Sequence, residues 1–298
     1  MLHNNTELFE QVVLRTAEYM KVEPGIIEKD YFVTLLLRRI SKNIPSVVFR
    51  GGTSLSKCYK IINRFSEDID LTIQYNQKPS VSGRREMKNN ILASIETLDL
   101  KLENADEIMS RRDFNKYVVN YPSIFNMHGL KQHLQVETMI KIKSYPTVEM
   151  EASSLIYEFL VKEGYKNLAV AQEMLPYTLK VQSAERTFID KIFALADYYL
   201  SGRISEQSRH IYDLFKLLSI VDLDDELHGL YESVRIERMS HKVCISAQDK
   251  IDMKEVLDEI IRKQVYKNDY NNTTKLLIFE NINYEEAIVV LEKVKSFL

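Results

Sequence analysis

The stretch VVFRGGTSLSKCYKIINRFSEDIDLTI, residues 47–73, decides how the fold is predicted. A short apolar run ends in Gly51 and Gly52. A hydroxyl-rich turn and a helical stretch follow, and a second strand-like run then carries Asp68 and Asp70. Because alternate residues of a strand point to the same face, both carboxylates face one way and the apolar residues between them face the other. The stretch predicts a strand, a glycine turn, a helix and a second strand.

The residues around the glycine turn are suited to a phosphate. Two carboxylates held this close indicate a divalent metal, since Mg2+ prefers a few carboxylate oxygens together with substrate phosphates. Gly51 and Gly52 let bare backbone approach a phosphate, while Thr53 and Ser54 open a helix whose free N–H groups can bind one. Lys57, about one turn later, either reaches the same phosphate or is an ordinary surface lysine. Together these residues predict a metal-dependent site for a nucleoside triphosphate.

A third carboxylate is predicted on a later strand. Residues 132–142 alternate in polarity, and Glu137 lies on the face opposite to the apolar one. Carboxylates avoid burial unless they are paired or bound to a metal, so we expect Glu137 beside Asp68 and Asp70 as a metal ligand. Three carboxylates can hold two Mg2+ ions, one that activates the attacking hydroxyl and one that stabilises the leaving pyrophosphate. The alternative is an exposed sheet face with unrelated charges.

The composition is that of a globular chain with a substantial core. The 298 residues are 45% hydrophobic and 28% charged, with a net charge of −3. This charge excludes a strongly basic nucleic-acid coat but allows local basic patches. The sequence predicts a cytoplasmic protein without membrane contact. The two cysteines are isolated, the N-terminus is unlike a signal peptide, and no apolar run is long enough to span a membrane.

The periodicity changes near residue 150, which predicts an α+β fold in two domains. Residues 1–150 are expected to form a small mixed sheet with flanking helices, and residues 151–298 a helical domain. Two more strands are predicted at 117–125 and 132–142, with Gly129 at the turn between them. Helices are predicted in the second part near 151–163, 183–200, 206–220, 224–238, 250–266 and 284–297.

The sequence resembles a known family at several separate motifs. GGTSLSK followed by RFSEDIDL is similar to the signature of minimal nucleotidyltransferases of the DNA polymerase β superfamily. More narrowly, it resembles the AbiEii/AbiGii-type toxins of bacterial abortive-infection and toxin–antitoxin pairs. IEKDY at 27–31 resembles that family's N-terminal helix, QSAERTFIDK at 182–191 its lysine motif, and RHIYDL at 209–214 its final motif, where His210 replaces a more usual Lys or Asp. The resemblance covers roughly residues 26 to 220.

The resemblance implies a polymerase-β-like nucleotidyltransferase domain whose active-site cleft is closed by the helical domain. It implies an Mg2+-dependent transfer of a nucleoside monophosphate from a nucleoside triphosphate to an acceptor. Some relatives act on the 3′ end of tRNA and block translation, so tRNA and a cognate antitoxin are the implied partners. The alternatives are an enzyme of the same fold that acts on a protein or small molecule, and a non-catalytic nucleotide-binding module.

Two further catalytic residues are implied in the helical domain. Lys191 lies at the edge of an apolar stripe, where a fixed positive charge can neutralise the pyrophosphate. Its alternative role is that of a lysine whose stem is buried and whose charge reaches water. Asp213 lies opposite the apolar face of its helix, where periodicity favours a solvated pair with Arg209. The resemblance implies instead that this polar face lines the cleft, where Asp213 orients a substrate hydroxyl or completes the polar network of the cleft.

Two basic clusters are suited to an RNA 3′ end, because they combine positive charge with nearby aromatic rings that can stack on bases. Ordinary helix-face charges are the alternative explanation. The clusters and the tyrosines that follow them are Arg84, Arg85 and Lys88, then Arg111, Arg112 and Lys116, then Tyr117 and Tyr121.

Overall fold

A computed structural model of the chain describes residues 1–75, 79–125 and 131–298. The turn predicted at Gly129 lies outside the described residues. The chain forms two compact units, which we call the first and the second unit. The first consists of Met1–Lys60 and Ser66–Val181, and the second of Ile61–Phe65 and Gln182–Leu298.

A mixed sheet with flanking helices organises the first unit, as predicted. Its seven strands, counted over the described residues, lie in the order β3-β4-β5-β2-β1-β7-β6. The two central strands β1 and β2 are antiparallel, and each has a parallel neighbour, β7 and β5 respectively. The strands are β1 Val47–Arg50, β2 Asp68–Ile73, β3 Lys101–Leu102, β4 Phe114–Asn120, β5 Leu134–Met139, β6 Thr147–Ala152 and β7 Tyr177–Gln182.

The helices of the first unit begin at local signals. The side chain of Asn5 caps the first helix by accepting a hydrogen bond from the Leu8 backbone N–H, and Pro24 occupies the first turn of the second. The helices are α1 Thr6–Met20, α2 Pro24–Asn43, α3 Gly51–Lys57, α4 Val81–Glu96, α5 Leu155–Lys162 and α6 Lys166–Ala171.

One face of β2 belongs to the core of the first unit. Ile69 and Leu71 are fully buried in the same cluster as Leu36 of α2 and Ile91 of α4. Because side chains alternate along a strand, the even-numbered residues of β2 point to the opposite face. The core therefore fixes which side of the sheet the two aspartates occupy.

The second unit is helical. Phe188, Leu214, Leu257 and Leu291 are fully buried in its core. The last helix begins with a capping box, in which the N-cap side chain and a glutamate three residues later each bond the other's backbone N–H. In the described part of the chain, no helix is long and apolar enough to cross a membrane. The helices are α7 Ala184–Leu200, α8 Arg209–Leu217, α9 Asp225–Met239, α10 Met253–Arg262, α11 Lys267–Asp269, α12 Lys275–Leu277 and α13 Tyr284–Phe297.

The division between the units falls later than the boundary predicted near residue 150. Strand β6 spans that position and β7 lies beyond it, and both belong to the sheet of the first unit. β7 joins the sheet by parallel pairing with β1, through Val48 with Lys180 and Phe49 with Val181. Its partner lies far away in the sequence, so local periodicity does not show that this segment is a strand.

Candidate active site

Four charged side chains form a row across the sheet of the first unit. Asp70 of β2 pairs in register with Arg50 of β1 and with Glu137 of β5. Glu137 pairs in turn with Lys116 of β4. Cross-strand partners place their side chains side by side on one face. We call Lys116, Glu137, Asp70 and Arg50 the charged row.

Asp68 lies on the same face, two residues before Asp70 and opposite Gln135 of β5. Its Oδ1 atom is buried and accepts no hydrogen bond from any residue that the structure describes. A buried carboxylate oxygen without a partner is costly unless a ligand or ion satisfies it. Asp68 therefore has the property expected of a cation ligand.

The aspartates fit a divalent cation that also binds substrate. Over residues 1–75, 79–125 and 131–298, no group of three or more His, Cys, Asp or Glu side chains is gathered closely enough to hold a metal ion. Mg2+ commonly takes one or two carboxylates and completes its shell with water and substrate phosphates. Asp68 and Asp70 suit that mode of binding, because Asp68 Oδ1 is buried and has no hydrogen-bond partner within the part of the chain that the structure describes.

Gly51 is required by its contact with Asp70. A Cβ atom at Gly51 would lie 2.1 Å from Asp70 Oδ2 and 2.9 Å from its Cγ. The φ angle of Gly51 is +77°, which L side chains rarely adopt. The glycine turn therefore makes room for one of the two aspartates, in addition to exposing backbone to a ligand.

Glu137 is half-buried and is held by a neighbour on its own strand. Gln135 Nε2 donates to Glu137 Oε1 at 2.7 Å. Burial raises the pKa of Glu137 and the charge of Asp68 raises it further, whereas Lys116, Gln135 and Arg50 oppose the shift. A carboxyl group with a raised pKa beside other carboxylates is suited to exchange a proton or to bind a cation that keeps it ionised.

The residues predicted to bind the triphosphate differ in exposure. Gly51 and Gly52 are partly exposed, whereas Thr53 and Ser54 are buried. Thr53 Oγ1 lies 2.9 Å from Ser66 Oγ, and Ser54 Oγ donates to the Gly51 carbonyl at 2.8 Å. Both hydroxyls thus bond within the protein, and the glycine backbone is the part of this turn exposed to a ligand.

Lys57, also predicted to bind phosphate, is buried in an ion pair. Its Nζ donates to Asp30 Oδ1 at 2.5 Å and to Thr34 Oγ1 at 2.6 Å. The other carboxylate oxygen of Asp30 accepts a hydrogen bond from the Leu155 backbone N–H at 2.8 Å. These contacts join α3 to α2 and α5, so we interpret Lys57 as a structural residue.

Lys191 and Asp213, the residues predicted in the helical part, contact each other inside the second unit. Lys191 Nζ donates to Asp213 Oδ2 at 2.5 Å. Arg64 binds the same carboxylate through two bonds, from Nε to Oδ1 and from Nη2 to Oδ2, both at 2.7 Å. We call Arg64, Lys191 and Asp213 the buried triad.

Asp213 is fully buried, which differs from the solvated helix face that periodicity favours. α8 packs against both α7 and α13, so two of its sides are covered. Arg64 lies 149 residues earlier in the chain, beyond the reach of any helical pattern. Burial alone would raise the pKa of Asp213, but Arg64 and Lys191 outweigh it and hold that pKa well below the usual range. Burial lowers the pKa of Lys191, although Asp213 opposes this shift.

Comparison with known proteins identifies the family. The model of the nucleotidyl transferase AbiEii toxin family, described as a type IV toxin–antitoxin system, matches residues 35–288. The chain belongs to the AbiEii family. Its fold is similar to that of MenT4, a nucleotidyltransferase toxin from Mycobacterium tuberculosis H37Rv, with a TM-score of 0.50 and 17% identity over 98% of this chain and 88% of MenT4. No curated protein sequence matches the chain.

AbiEii membership makes the chain a nucleotidyltransferase and the toxin of a type IV toxin–antitoxin system. It confirms the family and the enzyme class that the GGTSLSK and RFSEDIDL motifs predicted. The family match also covers more of the chain than the motifs do, because the motifs end near residue 220 and the match continues to residue 288.

Three residues near the AbiEii motifs make contacts that sequence patterns do not indicate. Arg50 and Gln135 contribute through strand register, which the sequence does not reveal. Lys29 of α2 is 1% exposed and donates to Glu67 and to the carbonyl of Lys131, at 2.6 Å for the latter. Lys29 thereby fixes the residue that precedes Asp68. Lys29 lies within the IEKDY motif, but the motif does not indicate this contact.

Proposed function

We propose that the protein transfers a nucleoside monophosphate from a nucleoside triphosphate to the 3′ end of a tRNA, with Mg2+ as cofactor. The observation that carries the proposal is the charged row together with Asp68. It combines carboxylates, flanking cations and an exposed glycine turn on one face of a rigid sheet. Phosphoryl transfer relies mainly on such positioning and electrostatic stabilisation.

In this proposal Asp68 and Asp70 would hold Mg2+. Glu137, predicted as a third ligand, lies beside Asp70 in register, but the three carboxylates are not gathered closely enough to form one metal site. Bound Mg2+ supplies positive charge that activates the attacking hydroxyl and stabilises the leaving pyrophosphate. Gly51 and Gly52 approach the triphosphate through their backbone. Ser54 supports that turn by donating to the Gly51 carbonyl, and the Thr53 hydroxyl bonds to Ser66 in the segment before β2.

Lys191 and Asp213 of the second unit were also predicted to be catalytic. Arg64 and Lys191 bind both oxygens of Asp213, which supports a structural role for the buried triad. The catalytic roles of Lys191 and Asp213 stay predictions.

An RNA acceptor is supported by the basic clusters of the first unit. Arg84 Nη1 donates to Asp113 Oδ1 at 2.9 Å, which brings the start of α4 beside the segment before β4. Arg85, Arg111 and Arg112 are exposed there. Cations arranged in this way can neutralise RNA phosphates.

The tyrosines predicted to stack on RNA bases are not available for that purpose. Tyr117 is 1% exposed and Tyr121 is 7% exposed, so both belong to the core. RNA binding in this proposal therefore rests on charge alone. Replacing Arg111 and Arg112 by Gln is expected to raise KM for tRNA about tenfold and to leave KM for the nucleotide unchanged.

Incubation with each labelled nucleoside triphosphate, Mg2+ and total RNA tests the proposal. We expect label on tRNA, dependence on Mg2+, and loss of both transfer and growth inhibition in Asp68→Asn. Growth inhibition by the active toxin should be relieved by its cognate antitoxin in the bacterial cytoplasm. Label on protein or small molecules with none on tRNA would contradict the acceptor. Unchanged transfer by Asp68→Asn would contradict the catalytic assignment.

A further inference from the structure

Arg50 occupies a position from which it can reach a ligand of the active site. It is the last residue of β1, directly before Gly51, and pairs in register with Asp70. Its side chain therefore lies on the face that carries Asp68 and Glu137. Neither the motifs nor the family comparison assigns it a role.

The Nε atom of Arg50 lacks the hydrogen-bond partner that a buried donor normally has among the described residues. The positive charge of Arg50 acts on Glu137, where it opposes the rise in the pKa that burial and Asp68 cause. Buried donors are rarely left unsatisfied, and an unsatisfied one calls for a specific explanation.

Arg50 and Asp68 each have one buried polar atom without a hydrogen-bond partner among the described residues. The two atoms are Arg50 Nε, a donor on a cation, and Asp68 Oδ1, an acceptor on an anion, on the same face of the sheet. They do not bond to each other. A magnesium-bound phosphate would satisfy both, because the metal binds the carboxylate and the phosphate oxygens accept from the guanidinium. A ligand with only one kind of charge would satisfy only one of them.

We propose that Arg50 binds the phosphates of the nucleoside triphosphate that leave as pyrophosphate. The guanidinium donates from Nε and a neighbouring N–H to phosphate oxygens, in the two-pronged geometry that arginine forms with phosphate. The adjacent backbone of Gly51 approaches the same group. This inference rests on the proposed nucleotide transfer and adds a phosphate-binding residue to it.

Calorimetric titration of the full chain with magnesium and inorganic tripolyphosphate tests Arg50 without requiring turnover. Arg50→Gln is expected to weaken binding of this probe by about ten- to a hundredfold, the value of hydrogen bonds to a charged group. Arg50→Lys keeps the charge but loses the two-pronged geometry, so its affinity should fall between those of wild type and Arg50→Gln. A nucleoside monophosphate should bind all three proteins equally. Arg15→Gln, which removes an exposed arginine of α1, is the matched control and should bind like wild type.

The stability of the variants separates ligand binding from a structural role. Because Arg50 Nε bonds no described residue, Arg50→Gln should have a Tm no lower than that of Arg15→Gln.

A lowered Tm of Arg50→Gln with unchanged affinity for tripolyphosphate would overturn the proposal. Equal weakening of nucleoside monophosphate and tripolyphosphate binding would overturn it as well. A wild-type protein that does not bind tripolyphosphate would overturn it too. If Arg50→Gln does not fold, weaker binding by Arg50→Lys decides the question. If wild type binds the probe through Arg50 but transfers no nucleotide, the proposed function fails and the role of Arg50 stands.

Discussion

The charged row of the first unit and the buried triad of the second unit use similar residues in opposite ways. In the buried triad, both oxygens of Asp213 accept from Arg64 or Lys191, and every charge has a partner. In the first unit, Arg50 Nε of the charged row and Oδ1 of the adjacent Asp68 are buried and have no partner among the described residues. Satisfied buried charges hold a structure in place, whereas unsatisfied ones are suited to a ligand. Substitutions should therefore separate the two regions, costing activity in the first and stability in the second.

Asp68→Asn should produce the largest effect, a loss of transfer activity of roughly a thousandfold or more. This exceeds the ten- to hundredfold typical of residues that only support a metal ligand. Its free energy of unfolding should change by less than about 1 kcal/mol, because its Oδ1 accepts no hydrogen bond within the described residues. Steady-state kinetics and urea denaturation measure the two quantities. Asp106→Asn, at an exposed position of the same unit, should change neither. A large loss of stability in Asp68→Asn would contradict the proposed difference between the active-site face of the first unit and the buried triad.

Asp213→Asn should mainly reduce stability, in contrast to Asp68→Asn, with a loss of about 3–5 kcal/mol in the free energy of unfolding. The substitution leaves Arg64 and Lys191 buried beside a neutral side chain, and an uncompensated buried charge is costly. Asp258→Asn is the matched control in the same unit, because Asp258 forms an exposed ion pair with Lys295 at 2.9 Å. Exposed pairs contribute about 0–1 kcal/mol. Equal losses in both variants would show that burial of the triad does not govern its energetics.

Gly51→Ala should reduce activity by about a hundredfold, because a shift of about 1 Å in a catalytic group has effects of this size. The new methyl group would displace the carboxylate of Asp70, which it would approach to 2.1 Å. Gly164→Ala is the control: Gly164 also has a positive φ, +83°, but nothing lies within 4 Å of its added Cβ. Both variants should lose similar stability from backbone strain, and only Gly51→Ala should lose activity. Full activity in Gly51→Ala would contradict the requirement for glycine beside Asp70.

The sequence predicts the parts of the fold that depend on local patterns. Alternation along β2 correctly separates its two faces, since Ile69 and Leu71 are buried in the core. The longer helices of the second unit, α7 to α10 and α13, follow from their apolar periodicity, whereas the short α11 and α12 are not predicted. β7 is missed because its partner is β1, more than a hundred residues earlier, and nothing in the segment itself encodes that pairing.

The same limit applies to the candidate site. Asp68 and Asp70 are visible because one strand carries both, and Glu137 because a carboxylate is unusual in its strand. The neighbours that decide the electrostatics come from strand register or distant segments, as with Arg50 beside Asp70 and Arg64 beside Asp213. Periodicity describes one face of one element. It therefore predicts that Asp213 is exposed to solvent, whereas α7, α13 and the distant Arg64 cover it in the structure.

The smallest predicted effect concerns pH and tests the buried triad without altering the site. Arg64 and Lys191 hold the pKa of Asp213 below its value in the unfolded chain, near 3.8. The unfolded state therefore binds the proton more readily as the pH falls. The contribution of Asp213 to stability is fully present above about pH 5 and declines progressively as the pH falls below about 4. Urea denaturation of wild type and Asp213→Asn should give a difference in unfolding free energy that is largest near neutral pH and shrinks toward about pH 3. A difference that stays constant between these pH values would mean that the charge of Asp213 is not what stabilises the triad.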